Sequence, residues 1–401
     1  MNLLCVTASF PYGPSEAFLQ AELQEILRTN HSVTIVPCVG RGPLNNYGLS
    51  FALLDRSLLS WTIFWGALIE IKHSPRRALR AFALLFRSRN LRVLATNSAV
   101  YPKALWLAHQ MRQKHYDHLH AYWASAPSTM ALVAAEMLDV PWSFTAHRWD
   151  ILEDNLMHTK LKKTRFARFV SHEGKCAAGA NQDNAVVLHL GVSLPDGVPA
   201  VSDTSMELTL LCPATFTLVK GHSYLFAALA LLRKRDFFPR VILAGDGPLR
   251  SALISECERL GISDQVSFPG FLSHTDLLNL YRERKVAAVV LPSLHEGIPV
   301  SLMEAMASGI PVVGTVAGGT PELLRDGAGL LVPPADPQAL ADAIELIARH
   351  PDLRRRLSIA GRKRVEEEFD VRKAMAELVR QISQRSSTLV DDFLAAEAGS
   401  R

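Results

Sequence analysis

Short apolar runs alternate with helical segments through the second half of the chain, and this alternation restricts the fold more than any other feature. Continuous apolar strands, without alternation of polar and apolar residues, are typical of parallel sheets covered by helices on both faces. The run A-A-V-V-L at 287–291 is the clearest example. We predict a doubly wound α/β domain with strands at 208–212, 241–244, 266–268, 287–291, 310–314 and 330–332.

The first half of the chain follows the same pattern less regularly. We predict helices at 15–28 and 127–138, with Ser15 as a candidate N-cap, and a basic helical insert at about 51–92. The predicted strands of this half are 2–7, 32–37, 118–122, 142–146, 167–170 and 185–188.

The segment 193–207 is rich in Pro, Ser and Asp and is typical of a linker between two domains. We therefore predict an N-terminal domain over 1–195 and a C-terminal domain over 205–375. Residues 376–401 are predicted to form a helix or tail, for which the N-terminal domain is a candidate packing surface.

Composition excludes several classes of protein. The chain has 401 residues, 48% of them hydrophobic, and a net charge of only +4, so we expect two apolar cores and no nucleic-acid partner. The five cysteines are scattered without a C-x-x-C, which favours free thiols in a reducing compartment. The N-terminus looks like a first strand and not a signal peptide, and the apolar run 57–69 is shorter than a membrane span. We expect a cytoplasmic protein.

The stretch H-E-G-I-P-V-S-L-M-E contains two glutamates, Glu296 and Glu304, separated by seven residues. Glu296 follows a predicted strand, and a helix is predicted to begin near Pro299–Ser301. The N–H groups of a helix N-terminus can bind phosphate, and flanking carboxylates can accept hydrogen bonds from sugar hydroxyls. The spacing alone favours an alternative in which Ser301 and Glu304 form a capping box and Glu296 is a solvated loop residue.

This stretch, together with A-G-G-T-P-E-L-L-R-D-G-A-G-L-L-V-P-P, resembles the signature of family 4 retaining glycosyltransferases. The resemblance covers most of the chain and is strongest over 286–345. It implies the GT-B fold, two Rossmann-like domains facing across a cleft, with the donor bound by the C-terminal domain and the acceptor by the N-terminal one. It also implies that Glu296 contacts the donor sugar, that Glu304 contacts the ribose, and that backbone N–H groups contact the donor near Gly297, Ile298 and Pro299.

A second segment, C-P-A-T-F-T-L-V-K-G-H, resembles the strand, loop and helix that carry the family's arginine and lysine for the diphosphate. Lys220 occupies the lysine position, whereas Thr215 replaces the arginine. Lys220 could instead be a solvated residue at a helix start, although a cation there opposes the helix dipole. The segment L-A-G-D-G-P-L-R, which contains Gly245, is also similar to the family, but alone it indicates only a turn and a helix start.

The N-terminal half resembles the exopolysaccharide-assembly branch of the same family in the segments H-L-H-A-Y-W-A and F-T-A-H-R-W-D. The resemblance implies that His147 lies near the anomeric carbon and that Asp150 and His120 belong to the acceptor side. Tyr122 replaces a second histidine of the pattern. Glu16, in F-P-Y-G-P-S-E-A-F, either faces the cleft on the acceptor side or interacts favourably with the dipole of the predicted helix that begins at residue 15.

Together these features predict an enzyme that transfers a sugar, with retention, from a nucleotide diphosphate sugar to a glycan, which the resemblance suggests is lipid-linked. His147, Glu296 and Lys220 are the candidate catalytic residues. The sequence has no D-x-D, so we expect no metal, and no cofactor beyond the donor substrate. Two alternatives are a non-catalytic donor-binding subunit, which Thr215 and Tyr122 keep open, and a nucleotide-sugar epimerase, which the glutamate pair disfavours.

The insert has an unusual charge. From Ile71 to Tyr116 there are ten Lys and Arg residues and no acidic residue, and the basic and apolar segment 76–89 follows a run rich in Trp and Phe. This pattern is typical of a helix that lies on an anionic membrane surface. It is equally typical of an amphipathic helix packed on its own domain, but a lipid-linked acceptor favours the inner-membrane surface as a partner.

Overall fold

The structure is a computed structural model that describes residues 1–13, 16, 18–45, 47–197 and 208–398, with side chains described up to residue 384. The chain forms two compact units. The first comprises Met1–His189 and Val371–Arg401, and the second comprises Leu190–Asp370. Ser15 and residues 198–207 of the predicted linker lie outside the described residues.

The first unit is built on a seven-stranded parallel sheet with the order β3-β2-β1-β4-β5-β6-β7. The order reverses between β1 and β4, and ligands of doubly wound sheets bind at the carboxyl ends of the strands beside such a reversal. The strands are β1 (Asn2–Thr7), β2 (Ser32–Pro37), β3 (Ala52–Leu53), β4 (His118–Ala121), β5 (Trp142–Ala146), β6 (Phe166–Phe169) and β7 (Ala185–Val187).

Nine helices of the described residues belong to the first unit, and most bury an apolar face against this sheet or against each other. They are α1 (Leu19–Arg28), α2 (Trp61–His73), α3 (Pro75–Leu85), α4 (Leu91–Gln113), α5 (Ala126–Leu138), α6 (Arg148–Glu153), α7 (Met157–Lys163), α8 (His172–Ala177) and the C-terminal α16 (Val371–Ala398).

The last helix completes the core of the first unit. The buried face of α16 includes Val371, Met375 and Leu378, which belong to the same apolar cluster as Leu19 and Leu23 of α1. The first unit therefore consists of two segments of the chain that are separated by the whole of the second unit.

The prediction of a helical insert over about 51–92 was wrong at both ends. Its first residues form the edge strand β3, which pairs with Thr34 and Ile35 of β2, and helix begins only at Trp61, after the side chain of Ser60 caps it. Two residues of strand are too few for a periodic pattern to reveal. Beyond position 92 helix continues, because α4 runs on to Gln113.

Helix α1 also begins later than predicted, at Leu19 instead of residue 15. Its buried residue Glu22 forms a two-pronged ion pair with Arg168 of β6, with Oε1 to Nη2 at 2.7 Å and Oε2 to Nη1 at 3.0 Å. Arg168 also donates to the carbonyls of Leu188 and His189. Four hydrogen bonds from this buried cation thus go to specific acceptors, and the two to Glu22 fix α1 on the sheet.

The second unit contains a six-stranded parallel sheet with the order β10-β9-β8-β11-β12-β13, so its order reverses between β8 and β11. In both units, every strand that was predicted from the sequence is present. The strands of this unit are β8 (Thr209–Pro213), β9 (Arg240–Ala244), β10 (Val266–Gly270), β11 (Ala288–Leu291), β12 (Val312–Thr315) and β13 (Leu330–Val332).

Helices cover both faces of this sheet as well, and the prediction of two Rossmann-like α/β units is confirmed. In the described part of the chain no helix combines the length and the apolar character needed to cross a bilayer. The helices of the second unit are α9 (His222–Arg233), α10 (Arg250–Leu260), α11 (His274–Arg282), α12 (Val300–Ala307), α13 (Thr320–Leu323), α14 (Pro337–Arg349) and α15 (Pro351–Glu368).

The buried pair of Glu22 and Arg168 supports a stability prediction. Replacing Glu22→Ala leaves a guanidinium buried without its carboxylate, and we expect the free energy of unfolding to fall by about 3–5 kcal/mol. Urea unfolding followed by tryptophan fluorescence would measure this, because all six tryptophans belong to the first unit: Trp61, Trp65, Trp106, Trp123, Trp142 and Trp149.

A control is available on the same helix. Arg28→Ala removes the ion pair with Glu25, in which the arginine side chain is 64% exposed, and should cost less than about 1 kcal/mol. Equal losses in the two variants would contradict a special role for the buried pair.

Candidate functional site

Lys220 and Glu296 form an ion pair in the second unit, with Nζ and Oε1 2.6 Å apart. The same carboxylate oxygen accepts a hydrogen bond from the Ser293 hydroxyl at 2.6 Å. Glu296 is only 8% exposed, so it is not a solvated loop residue, and Lys220 is not a free surface lysine. The structure therefore brings together two of the three candidate catalytic residues.

A close backbone approach holds this pair in place. Lys220 ends a short 3-10 turn, Leu218–Lys220, and Gly221 follows it with φ 66°. A Cβ on Gly221 would lie 2.1 Å from the carbonyl oxygen of Pro292, so only glycine allows the turn to lie against the segment that leaves β11. The N–H of Leu294 donates to the carbonyl of Val219 at 2.8 Å and joins the same two segments.

The N-terminus of α12 lies immediately after Glu296 and Gly297. Pro299 is its N-cap, and within the described residues no side chain caps the helix. Nor does any described residue accept a hydrogen bond from the N–H groups of Ile298, Val300 or Ser301. Free N–H groups and the positive end of the helix dipole favour an anion here.

The capping-box interpretation of Ser301 and Glu304 was wrong. Ser301 lies inside α12, and the Glu304 carboxylate accepts a hydrogen bond from Nε2 of His274 at 2.9 Å. This bond raises the pKa of His274 above its ordinary value. Glu304 is thus directed towards His274 at the beginning of α11.

Glycines after β12 shape the loop that carries the predicted donor contacts. The N–H of Gly319 donates to the carbonyl of Gly297 at 2.8 Å, and a Cβ on Gly319 would lie 2.4 Å from the Ile298 side chain. Ile298 and Pro299 are themselves buried. The A-G-G-T segment therefore fixes the path of residues 297–299.

Gly245 and Thr215 lie where the loops after β9 and β8 meet. A Cβ on Gly245 would lie 2.0 Å from the carbonyl of Ala214, and the N–H of Phe216 donates to the carbonyl of Asp246 at 2.9 Å. This contact leaves the Thr215 side chain exposed and without charge at the position where the family pattern has arginine. Gly245 thus supports the loop through its lack of a side chain.

In the first unit, Glu16 is buried and binds the backbone of the loop after β1. Its carboxylate accepts hydrogen bonds from the N–H groups of Ala8 at 3.1 Å and of Ser9 and Phe10 at 2.5 Å each. The indole Nε1 of Trp123, just after β4, donates to the same carboxylate. Glu16 therefore braces the two loops beside the reversal of the sheet, and it lies outside α1.

His147 is the N-cap of α6 and packs against Trp123, with ring centroids 4.4 Å apart. Burial, reinforced by the nearby Arg168, lowers its pKa to about 3, so the imidazole is neutral at physiological pH. Its Nε2 is buried and has no hydrogen-bond partner in the described part of the chain. A neutral imidazole with one unused ring nitrogen can bind a ligand hydroxyl.

Asp150 holds the backbone on either side of this ring. Its Oδ2 accepts hydrogen bonds from the N–H groups of Ala124 at 2.5 Å and of His147 at 3.2 Å. Burial raises the pKa of Asp150 to about 7. Lys160, which sequence reasoning missed, donates to the carbonyl of Ala124 at 2.7 Å from the other side.

His120 has a different environment. It lies within β4, and its two ring nitrogens are bonded to the hydroxyls of Ser143 at 2.7 Å and Thr145 at 3.0 Å. Burial lowers its pKa well below the ordinary value. The ring of Tyr122 packs edge-on against it, with centroids 4.8 Å apart. The structure thus engages both ring nitrogens of His120 within the sheet.

Four contacting residues were missed in the sequence: Ser293, His274, Trp123 and Lys160. Trp123 lies in a quoted motif and Ser293 lies just before one, but neither residue carries a signal of its contacts. His274 is 30 residues from Glu304, and no local pattern connects them.

Comparison with known proteins gives this arrangement a context. Residues 201–364 match the family described as "Glycosyl transferases group 1". The chain therefore contains a glycosyl transferases group 1 domain.

Two curated relatives each match less than half of the chain. The "Putative glycosyltransferase EpsD" of Bacillus subtilis is 34% identical over 158 residues, which cover 39% of this chain and 40% of that protein. The "Putative colanic acid biosynthesis glycosyltransferase WcaL" of Salmonella typhimurium is 33% identical over 195 residues, 46% of this chain and 47% of that protein. The matched segments thus span less than half of the length of these relatives.

Solved structures cover almost the whole chain. A sucrose-phosphate synthase from Thermosynechococcus elongatus matches with a TM-score of 0.74 and 17% identity, covering 96% of this chain and all of that one. Anabaena HepE in complex with UDP matches with a TM-score of 0.71, 17% identity and the same coverage. At this identity the likeness concerns the fold, and the predicted GT-B fold class is confirmed.

The hydrogen bond between His274 and Glu304 yields a prediction for the pKa of His274. Replacing Glu304→Gln removes the charge that stabilises the imidazolium, so the pKa of His274 should fall. Because the folded-state pKa is raised, the pair stabilises the fold fully below the ordinary histidine pKa, and this stabilisation is lost as the pH rises through the raised value.

Histidine side-chain NMR over a pH series would measure this change. The control is Glu283→Gln, at the end of the same helix α11. An unchanged pKa of His274 in Glu304→Gln would contradict the contact.

Proposed function

We propose that the protein transfers a sugar from a nucleotide diphosphate sugar to a glycan acceptor, with retention of the anomeric configuration. The observation that carries the proposal is the pair of Lys220 and Glu296 next to the uncapped N-terminus of α12, inside the group 1 domain. The UDP bound to Anabaena HepE supports a nucleotide donor for this fold.

The proposed donor site assigns one part of the donor to each group. The diphosphate lies against Lys220 and the free N–H groups of α12, which together supply positive charge. Glu296 accepts hydrogen bonds from hydroxyls of the sugar, and Glu304 accepts them from the ribose. Lys220 leaves Glu296 for the phosphate when the donor binds, and the sugar hydroxyls then replace it on the carboxylate.

The chemical step breaks the bond between the anomeric carbon and the phosphate oxygen. The electron pair leaves with the nucleoside diphosphate, the acceptor oxygen bonds the anomeric carbon on the same face, and the proton of the acceptor hydroxyl passes to the departing phosphate oxygen. Charge develops on the departing diphosphate, where Lys220 and the helix N-terminus stabilise it. His147, neutral and with Nε2 unused among the described residues, is proposed to bind a hydroxyl of the transferred sugar.

We further propose that the reaction needs no metal and that the acceptor is a lipid-linked polysaccharide intermediate. The positive charge that a metal supplies in other transferases is assigned to Lys220 and α12, and the sequence has no D-x-D. The glycan acceptor is suggested by the relative named for colanic acid biosynthesis.

Donor binding is the first test. Thermal shift with a panel of nucleoside diphosphates and their sugars should show stabilisation by one nucleotide. In Glu304→Ala the affinity should fall roughly 10- to 100-fold, because a hydrogen bond to a charged group contributes about 1.5–3 kcal/mol. Glu283→Ala should bind as the wild type does. Failure of every nucleotide to stabilise the wild type would contradict the proposal.

Turnover is the second test. With the donor identified, Lys220→Met should lower kcat by roughly 10²–10³-fold, the loss seen when one group that stabilises developing charge is removed. Lys234→Met, an exposed lysine that caps the far end of the adjoining helix α9, is the matched control. The assay is release of nucleoside diphosphate.

The same assay separates the remaining possibilities. Loss of turnover on adding EDTA would contradict metal independence, and the anomeric configuration of the product, read by NMR, tests retention. Donor binding without any turnover in the wild type would identify a non-catalytic donor-binding subunit instead.

A further inference from the structure

The outer face of α2 is apolar and exposed. Trp61, Phe64, Trp65 and Ile69 are 74%, 54%, 56% and 48% exposed, and the half-buried Leu68 lies between them. At 3.6 residues per turn these positions form one stripe along the helix. Four large exposed apolar side chains on one face are unusual for a helix at a protein surface.

The opposite face of α2 already packs against α4. Ile63, Gly66 and Glu70 are buried there, a Cβ on Gly66 would lie 2.6 Å from the ring of Trp106, and Glu70 pairs with Arg112 at 2.8 Å. An ordinary amphipathic helix has one apolar face and one polar face. Helix α2 has two apolar faces, and packing on its own unit uses only one of them.

Helix α3 continues the exposed apolar surface and adds charge. Leu79 and Phe86 are 70% and 65% exposed, and Phe82 packs edge-on against Phe86. Ten of the twenty-one exposed large apolar side chains in the described residues lie between Leu59 and Leu91, so the surface is concentrated in this segment. We call the exposed side chains of residues 59–92 the α2–α3 surface.

Cations surround these apolar side chains, and no acidic side chain balances them. In the described chain none of these exposed cations has an ion-pair partner. The two acids of this part of the chain are engaged elsewhere: Asp55 contacts Tyr12 and Lys103, and Glu70 pairs with Arg112. The exposed cations are Lys72, Arg76, Arg80, Arg87, Arg89 and Arg92.

The charge distribution indicates which partner covers this surface. In a symmetric dimer of this chain the same patch would meet itself, and six unpaired cations would face six others. An anionic bilayer can accommodate both the exposed apolar side chains and the unpaired cations. Its acyl region takes aromatic and aliphatic side chains, and its headgroups attract Lys and Arg. We propose that the α2–α3 surface docks the protein on an anionic lipid bilayer, with the apolar stripe of α2 inserted.

This proposal concerns a surface distinct from the donor site, and vesicle binding without donor or acceptor tests it. The wild type should sediment with phosphatidylcholine vesicles that contain phosphatidylglycerol, and much less with pure phosphatidylcholine. Phe64→Ser/Ile69→Ser should lower the partition coefficient roughly tenfold or more, and so should Arg76→Gln/Arg80→Gln. These changes leave Trp61 and Trp65 in place as reporters. Brominated lipid should quench their fluorescence in the wild type and much less in these two variants.

Matched controls lie in the second unit. Ile254→Ser/Ile359→Ser and Arg259→Gln/Arg282→Gln change exposed residues of the same types and should bind vesicles as the wild type does. Thermal shift with the donor nucleotide should be the same in all four variants, so a failed donor site and a failed docking surface give different results.

Three results would overturn the proposal. They are absence of binding to anionic vesicles, equal binding to neutral and anionic vesicles, and equal losses in the test and control variants. A self-association seen by light scattering without vesicles, and abolished by Phe64→Ser/Ile69→Ser, would show that a second copy of the chain occupies the surface.

Discussion

The ion pair of Lys220 and Glu296 connects the two segments that leave β8 and β11, the strands at which the order of the second sheet reverses. Its geometry depends on Gly221, which allows the turn before α9 to touch the backbone after β11. The pair neutralises a cation and a buried carboxylate in the unliganded protein. An anionic donor can therefore take over the lysine without leaving either charge uncompensated, provided that its hydroxyls satisfy Glu296.

The first unit uses buried carboxylates in another way. Glu16 and Asp150 accept hydrogen bonds from backbone N–H groups after β1, after β4 and at the start of α6. Their oxygens hold loops through these bonds, and in the described residues neither carboxylate forms an ion pair that a ligand could displace. Among the buried polar atoms that these contacts leave without a partner in the described residues are Nε2 of His147, which is neutral and suited to hydroxyls, and Oδ1 of Asp150. The two units thus offer different chemistry: positive charge in the second and neutral hydrogen bonding in the first.

Much of the fold could be predicted because a continuous apolar strand can be recognised from its own short stretch of sequence. The two residues of β3 could not, since their pairing with β2 leaves no periodic pattern. The start of α1 was misplaced because a serine and a glutamate before an apolar segment look like a helix start, whereas Glu16 binds the backbone of residues 8–10. The site contacts depend on approaches between distant segments. Lys220 is 76 residues from Glu296, and only the folded sheet brings them together.

The measurement that tests the central claim most directly is a crystal structure of the protein with a nucleoside diphosphate bound. The account predicts the diphosphate at the N-terminus of α12, with Lys220 Nζ moved from Glu296 to a phosphate oxygen and the ribose hydroxyls on Glu304. A nucleotide bound elsewhere, with the Lys220–Glu296 pair unchanged and the N–H groups of α12 unused, would contradict it.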